Sequence, residues 1–69
     1  MNELIFLVEE STDGGFTAKA LGHSIFTESE TFEGLKPAIT EAVFCHFEDK
    51  LPKIVRMHYV REEVFAVGA

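Results

Sequence analysis

Residues 9–29, EESTDGGFTAKALGHSIFTES, decide how the first half of the chain folds. The adjacent Gly14 and Gly15 are typical either of a loop that holds a phosphate or of a turn between two strands. A nucleotide-binding loop leads from a strand into a helix, whose N-terminus meets the anion. Here the glycines precede GFTAKAL, which alternates like a half-buried strand. The loop therefore joins two strands, and Asp13-Gly14 is predicted to supply the positive φ angles of a tight hairpin.

The segments on either side of this hairpin complete a three-stranded unit. Residues 3–9 contain a continuous apolar run, ELIFLV, that is too short for a helix. We therefore expect a strand buried on both faces at the centre of the sheet. LGH (21–23) predicts a second tight connection, and SIFTE (24–28) predicts a short third strand. Ile25 and Thr27 would lie on one face of that strand and Phe26 on the other.

A helical period replaces the strand pattern after residue 28. Thr31 is the expected N-cap, although Gly34 stands where a capping box has Glu or Gln. Pro37 is placed in the second turn, where it would remove one helical hydrogen bond, so we expect a distorted or late helix start. The core side of the helix is one broad stripe made of Phe32, Leu35, Ile39, Ala42, Val43, His46 and Phe47.

The last part of the chain returns to the sheet. LPKIVRMHYV (51–60) predicts a fourth strand, and Val64–Val67 (VFAV) predicts a short optional fifth. A strand–helix–strand crossover usually returns beside a strand already in the sheet, and the apolar first strand is the obvious neighbour. The predicted fold is α+β, one domain over residues 1–69. It has two layers, β-β-β-α-β(-β), with a mostly antiparallel sheet of order 3-2-1-4 and one helix on one face.

Composition narrows the partners that this chain can have. Its 69 residues are 46% hydrophobic and include seven Phe, which is more apolar surface than one helix covers. A homodimer or higher homo-oligomer is therefore expected. Twelve acidic residues against six basic ones give a net charge of −6, which repels nucleic-acid phosphates and suits a basic protein. We expect no specific DNA binding.

Cysteine usage and hydropathy indicate the compartment. The single cysteine, Cys45, cannot form an intrachain disulfide, which favours a reducing cytoplasm. The first residues, MNELIFLVEE, lack the basic region of a signal peptide. No run approaches the ~20 apolar residues of a membrane span, so neither a membrane partner nor a leader is expected.

The sequence contains no recognisable set of metal ligands or catalytic residues. Cys45 and His46 are neighbours that point about 100° apart on a helix, so they cannot hold one ion together. His23 and His58 are placed on strands without a paired ligand, whereas zinc needs three or four. His46 is interpreted as a packed core residue and Cys45 as inert packing. We expect no metal, no cofactor and no enzymatic activity.

Two surfaces are candidates for binding. Phe44 falls about 120° from the first member of the apolar stripe. Its surroundings are the acidic residues Glu33, Glu41 and Glu48, with Pro37. Single exposed apolar residues are common on protein surfaces. An exposed aromatic side chain surrounded by acidic residues is also typical of a residue that anchors a protein–protein interface.

The second surface lies on the sheet. Arg56 and His58 share one strand face, with Lys19 on the same side. This set could form a small anion or RNA site, although a half-solvated sheet face of mixed character is the commoner outcome.

The stretch DGGFTAKALGHSIFTESETFEGLKPAITEAV (13–43) resembles the N-terminal domain of the HicB family, the antitoxins of bacterial HicA–HicB toxin–antitoxin pairs. The resemblance implies a partial ribonuclease-H-like fold and a non-enzymatic domain that binds and blocks a small basic ribonuclease toxin, commonly as a dimer or larger assembly. The matches are turn and packing residues: Asp13-Gly14-Gly15-Phe16, Ala18, Gly22, Thr27, Thr31-Phe32-Glu33, Leu35 and Glu41-Ala42-Val43.

This chain departs from the HicB pattern in three places. The family's Pro-containing loop is shortened to Leu21-Gly22-His23, and Gly34 replaces an acidic residue at the helix start. The C-terminal DNA-binding module is absent from the sequence, so a solitary HicB-like domain without autoregulation is expected. Two alternatives stay open: an oligomeric RNA- or anion-binding protein built on Lys19, Arg56 and His58, and an accessory subunit of a metabolic complex.

Overall fold

The computed structural model describes residues 2–68. The elements are β1 (Glu3–Glu10), β2 (Phe16–Ala20), β3 (Phe26–Ser29), α1 (Leu35–His46) and β4 (Ile54–Val60). They form a four-stranded sheet of order β3-β2-β1-β4. β1 pairs antiparallel with β2 and parallel with β4, and β2 pairs antiparallel with β3. The α+β class and the strand order are confirmed.

The first hairpin is closed by one left-handed residue rather than two. Gly14 has φ +98°, whereas Asp13 keeps a negative φ. The Ser11 N–H donates to the Gly15 carbonyl at 2.6 Å, and the Gly14 N–H donates to the Ser11 carbonyl at 3.1 Å. A three-residue loop of this kind needs a positive φ only at its last position. The expectation of positive φ angles at both Asp13 and Gly14 was therefore wrong.

β1 is central in the sheet but buried on one face only. Leu4, Phe6 and Val8 point into the core and are buried, whereas Ile5 and Leu7 on the opposite face are half-buried. The prediction of burial on both faces was wrong, because within residues 2–68 α1 is the only layer packed on the sheet and it covers one side. We call the uncovered side the open face.

The core lies between the sheet and the inner side of α1. The helix packs over β2 and β3 and leaves β4 beyond its reach. The core-facing side chains of β4 are consequently less covered: Val55 and Tyr59 are exposed, and Met57 is half-buried. The buried cluster consists of Leu4, Phe6, Val8, Ala18, Ala20, Ile25, Leu35, Ile39 and Val43.

The helix starts late, as expected, but for a different reason. Its N-cap is Gly34, whose N–H donates to the Thr31 hydroxyl at 3.0 Å. Thr31 therefore holds the turn before the helix, and its assignment as N-cap was wrong. Starting at Leu35 makes Pro37 the third helical residue, where the backbone nitrogen has no helical acceptor. Pro37 removes no helical hydrogen bond, so its placement in the second turn was also wrong.

Residues 61–68, the C-terminal arm, lead away from the domain. Val64, Phe65 and Val67 are 87%, 80% and 90% exposed and form no strand, so the optional fifth strand was wrong. The molecule measures 58 × 20 × 18 Å, and its radius of gyration is 14.3 Å. A compact chain of this length has a radius of about 11 Å. Within residues 2–68, no helix is long and apolar enough to cross a membrane.

Candidate functional site

The first candidate, which we call the acidic surface, consists of Glu33, Glu41, Phe44 and Glu48. All four residues are exposed, and Phe44 is 59% exposed. Glu41 and Phe44 are three residues apart in α1 and therefore neighbours on its surface. Glu33 lies in the turn before α1, and Glu48 follows Phe47, whose φ of −106° and ψ of 113° end the helix. Only two of the four residues thus share a helical face, and the other two flank its ends.

An acidic cleft that the sequence analysis missed lies near the start of α1. It encloses about 360 Å³ at the hairpin end of the sheet and is open to solvent. Pairing of Phe16 with Ser29 brings the first hairpin beside the end of β3. This pairing gathers carboxylates that are far apart in sequence, which no local pattern reveals. The lining residues are Ser11, Asp13, Gly15, Phe16, Thr17, Glu28, Ser29 and Glu30.

Asp13 is held in its charged form at the rim of this cleft. The Ser11 hydroxyl donates a hydrogen bond to the Asp13 carboxylate. That bond, with further hydrogen bonds from the Asp13 and Gly15 backbone, lowers the pKa of Asp13 below its ordinary value of 3.8. The cleft therefore presents fixed negative charge, which suits the cationic side chains of a partner and not a phosphate.

The second candidate, Lys19 with Arg56 and His58, does come together on the open face. Lys19 and His58 both lie opposite Leu7 on β1, and Arg56 lies opposite Ile5. However, the Nε of Arg56 is 2.7 Å from Oε2 of Glu3, on the same face. A guanidinium already paired with a carboxylate is less available to a phosphate. The three basic groups are thus neighbours, but one of them is already occupied.

Two further acids lie on this same face. Glu9 and Glu28 are both opposite Thr17 in the strand pairing, one strand to either side of β2. Residues directly opposite one another project to the same face of a sheet. The carboxylates therefore offset the charge of Lys19 and Arg56, and the open face has the mixed character common to half-solvated sheets.

The histidines are placed differently from the expectation. His23 lies in the turn between β2 and β3 rather than on a strand, and His46 is exposed rather than packed in the core. Both predictions were wrong: the turn between β2 and β3 includes His23, and α1 ends at His46, which lies beyond Val43, the last core residue of the helix. The His46 ring instead packs edge-on against Phe47 at 4.8 Å and His23 at 5.9 Å between ring centroids.

The residues considered for metal binding do not converge. Cys45 is exposed, so its interpretation as inert packing was wrong. Within the described part of the chain, no group of three or more His, Cys, Asp or Glu side chains could hold a metal ion. His58 lies on the open face, whereas His23 and His46 meet at the C-terminal end of α1.

Comparison with known proteins places the chain in a family. No family model matches it, and no solved structure matches it. A UPF0150 protein of Thermotoga maritima is 42% identical over 65 residues, which cover 94% of this chain and 93% of that protein. A UPF0150 protein of Archaeoglobus fulgidus is 58% identical over 52 residues, which cover 74% of this chain and 77% of that protein. The chain therefore belongs to the UPF0150 protein family.

Proposed function

We propose that the protein is a non-enzymatic binding module of the HicB antitoxin kind, which binds a small basic ribonuclease through the acidic surface. The observation that carries the proposal is Phe44, a large aromatic side chain left 59% exposed on α1 beside Glu41. Buried aromatic anchors at the centre of an interface supply much of its affinity. The resemblance of residues 13–43 to HicB suggests the class of partner.

Charge explains how such a partner would be attracted and blocked. The chain has a net charge of −6, and the acidic cleft gathers the carboxylates of Asp13, Glu28 and Glu30, of which Glu28 and Glu30 are close in sequence to Glu33. A basic ribonuclease holds RNA largely through cationic contacts to phosphates. An acidic protein that covers the same cations would steer towards the enzyme and compete with RNA for it.

The test first asks whether a small basic protein is encoded beside this gene; such a protein is the probe, and its affinity and its RNA cleavage are measured together. Phe44→Ala should weaken binding by about 2 kcal/mol or more, roughly 30-fold, and relieve the inhibition of cleavage. Phe26→Ala is the matched control, because Phe26 is similarly exposed (62%) but lies on the open face. Equal affinities for Phe44→Ala and the unchanged protein would contradict the proposal.

Charge-reversal variants show whether the acidic residues speed the association of the partner rather than hold it once bound. Glu41→Lys and Glu48→Lys should mainly slow association, and the effect should shrink as salt is raised. Glu10→Lys provides the control, because Glu10 is an exposed acid at the end of β1, away from α1. Equal slowing by Glu10→Lys would mean that net charge, rather than the acidic surface, attracts the partner.

RNA or anion binding on the open face is the second candidate, because Lys19 and His58 lie in one row across the sheet. The Arg56–Glu3 ion pair and the nearby carboxylates weigh against it. Binding to a single-stranded RNA oligonucleotide that falls with salt, and is lost in Lys19→Glu, would favour this candidate over the first.

A further inference from the structure

β4 ends the sheet with a hydrogen-bonding edge that pairs with no other strand of residues 2–68. The Ile54 N–H donates to the Asn2 carbonyl at 3.0 Å, so Ile54 directs its backbone groups towards β1. Directions alternate along an extended strand. Val55, Met57 and Tyr59 therefore direct their N–H and C=O groups outward, where a further strand can pair with them.

The two edges of the sheet differ in how they are protected. β3 is four residues long, and α1 packs against it. β4 is seven residues long, contains no proline, and is not reached by the helix. Its helix-side residues, Val55, Met57 and Tyr59, are apolar or aromatic, and Ile54 and Val60 are exposed at the two ends of its open face. A long, exposed, apolar edge strand is a template for pairing with another chain.

We propose that a second copy of this chain pairs with β4, strand to strand and antiparallel, about a two-fold axis at Met57. This register pairs all seven residues of β4, whereas an axis at Arg56 or His58 pairs only five. The axis at Met57 sets Arg56 opposite His58 of the second copy on the open face, where Arg56 is already paired with Glu3 of its own chain. On the helix side, Met57 meets Met57 of the second copy and Val55 meets Tyr59. On the open face, Ile54 meets Val60.

Charges at the two ends of β4 favour antiparallel over parallel pairing. Lys50 and Lys53 directly precede the strand, with Glu48 and Asp49 further from it, and Glu62 and Glu63 follow it. Antiparallel pairing brings each acidic end beside the basic end of the other copy, whereas parallel pairing would bring like charges together. Arg61 also follows the strand, but its guanidinium is 3.9 Å from the Glu63 carboxylate of its own chain.

The same pairing gives the C-terminal arm a place to bind. Beyond Val60, the arm of one copy continues along the segment that leads into β4 of the second copy. That segment contains Leu51, which is exposed. Val64, Phe65 and Val67, which contact little in their own domain, would cover it. The helix α1 lies over β2 and β3, towards the edge of the sheet opposite β4. Pairing at β4 is therefore compatible with partner binding at Phe44.

Cysteine cross-linking tests the register. In a Cys45→Ser background, Met57→Cys should oxidise to a covalent dimer, because opposed Cα atoms in a hydrogen-bonded pair are about 5.5 Å apart, within disulfide range. Ile54→Cys should not link to itself, because the two copies of residue 54 would be about 20 Å apart. Ile54→Cys with Val60→Cys should link. Linking by Ile54→Cys alone, or no linking by Met57→Cys, overturns the register.

A proline scan tests the pairing itself. Val55→Pro removes an outward N–H and leaves the ladder to β1 intact, so it should weaken dimerisation at least tenfold by light scattering while the circular dichroism of the domain is retained. Arg56→Pro removes an N–H directed at β1 and should unfold the domain instead. A Val55→Pro protein with the mass of a dimer, or an unmodified protein that is monomeric at micromolar concentration, overturns the proposal.

Discussion

Arg56 and Glu3 join the two parallel strands at the edge of the sheet, with the Nε of Arg56 2.7 Å from Oε2 of Glu3. The two residues are 53 positions apart in the chain and meet because Glu3 pairs in register with Ile54. The contact ties the N-terminal strand to the last strand and neutralises the guanidinium that anion binding would need. Both side chains are partly solvated, so the ion pair contributes little to the free energy of folding.

Removing this ion pair should cost little stability. Glu3→Gln is expected to lower the free energy of unfolding by less than about 1 kcal/mol, because exposed pairs are screened by solvent and salt. Urea unfolding at low and high salt measures the effect, which should shrink at high salt. Glu9→Gln, in the same strand, is the control. A loss well above 2 kcal/mol would show that the pair organises the β1–β4 junction.

The Ser11–Asp13 hydrogen bond should make stability depend on acid pH. The lowered pKa of Asp13 in the folded protein means that its contribution is fully present above the ordinary value of 3.8 and is lost as pH falls through the folded value. Ser11→Ala should move the pKa of Asp13 back up, as followed by NMR titration. Thr12→Ala, in the same loop, should leave it unchanged. An unshifted Asp13 in Ser11→Ala would contradict this assignment.

Gly34 should be sensitive to substitution because of what lies beside it. A Cβ at this position would collide with the Ser29 hydroxyl and approach the Thr31 hydroxyl to 3.0 Å. Gly34→Ala is therefore expected to destabilise the domain by about 1–3 kcal/mol, the usual range for overpacking. The double change Ser29→Ala with Gly34→Ala should recover part of this loss in denaturant unfolding. Additive effects of the two changes would mean that the collision is not the cause.

Alanine substitutions of two phenylalanines, one in the core and one on the surface, should differ widely in their effect on stability. Phe6 is fully buried, so Phe6→Ala should cost about 3–5 kcal/mol, enough to unfold much of so small a domain. Phe44→Ala should change stability by no more than about 0.5 kcal/mol. Thermal melts compare them, since 1 kcal/mol corresponds to about 4–8 °C at this size. A ten-degree fall for Phe44→Ala would place Phe44 in a core or an oligomer interface and refute the acidic-surface proposal.

The C-terminal arm should stabilise an assembly rather than the domain. If a second copy binds the arm, the melting temperature should fall on dilution, because association adds stability by mass action. Phe65→Ser should weaken association, and so lower the melting temperature at a given concentration and shift its concentration dependence to higher protein concentrations. Phe26→Ser, a change to an equally apolar exposed residue on β3, should not. A melting temperature independent of concentration in the unmodified protein would contradict the prediction.

Much of the fold follows from local pattern. The alternation in GFTAKAL, the apolar run ELIFLV and the glycines between them predict the first hairpin. The helical period after residue 28 predicts a crossover, which brings the last strand back beside the first. These features are local because side-chain periods of 2 and 3.6 residues and the freedom of Gly14 are properties of the backbone itself. The exposure of Phe44 was also implied by its angle on the helix.

Tertiary packing decided the rest. The helical period does not determine which strands the helix packs on. α1 packs over β2 and β3, which leaves the side chains of β4 exposed, and His46 is more exposed than its place in the apolar stripe predicted. Sequence likewise gave no sign of the Arg56–Glu3 pair or of the acidic cleft, because both join residues from elements that only the sheet register brings together. Pairing register is a global property, set by which faces can be buried at once.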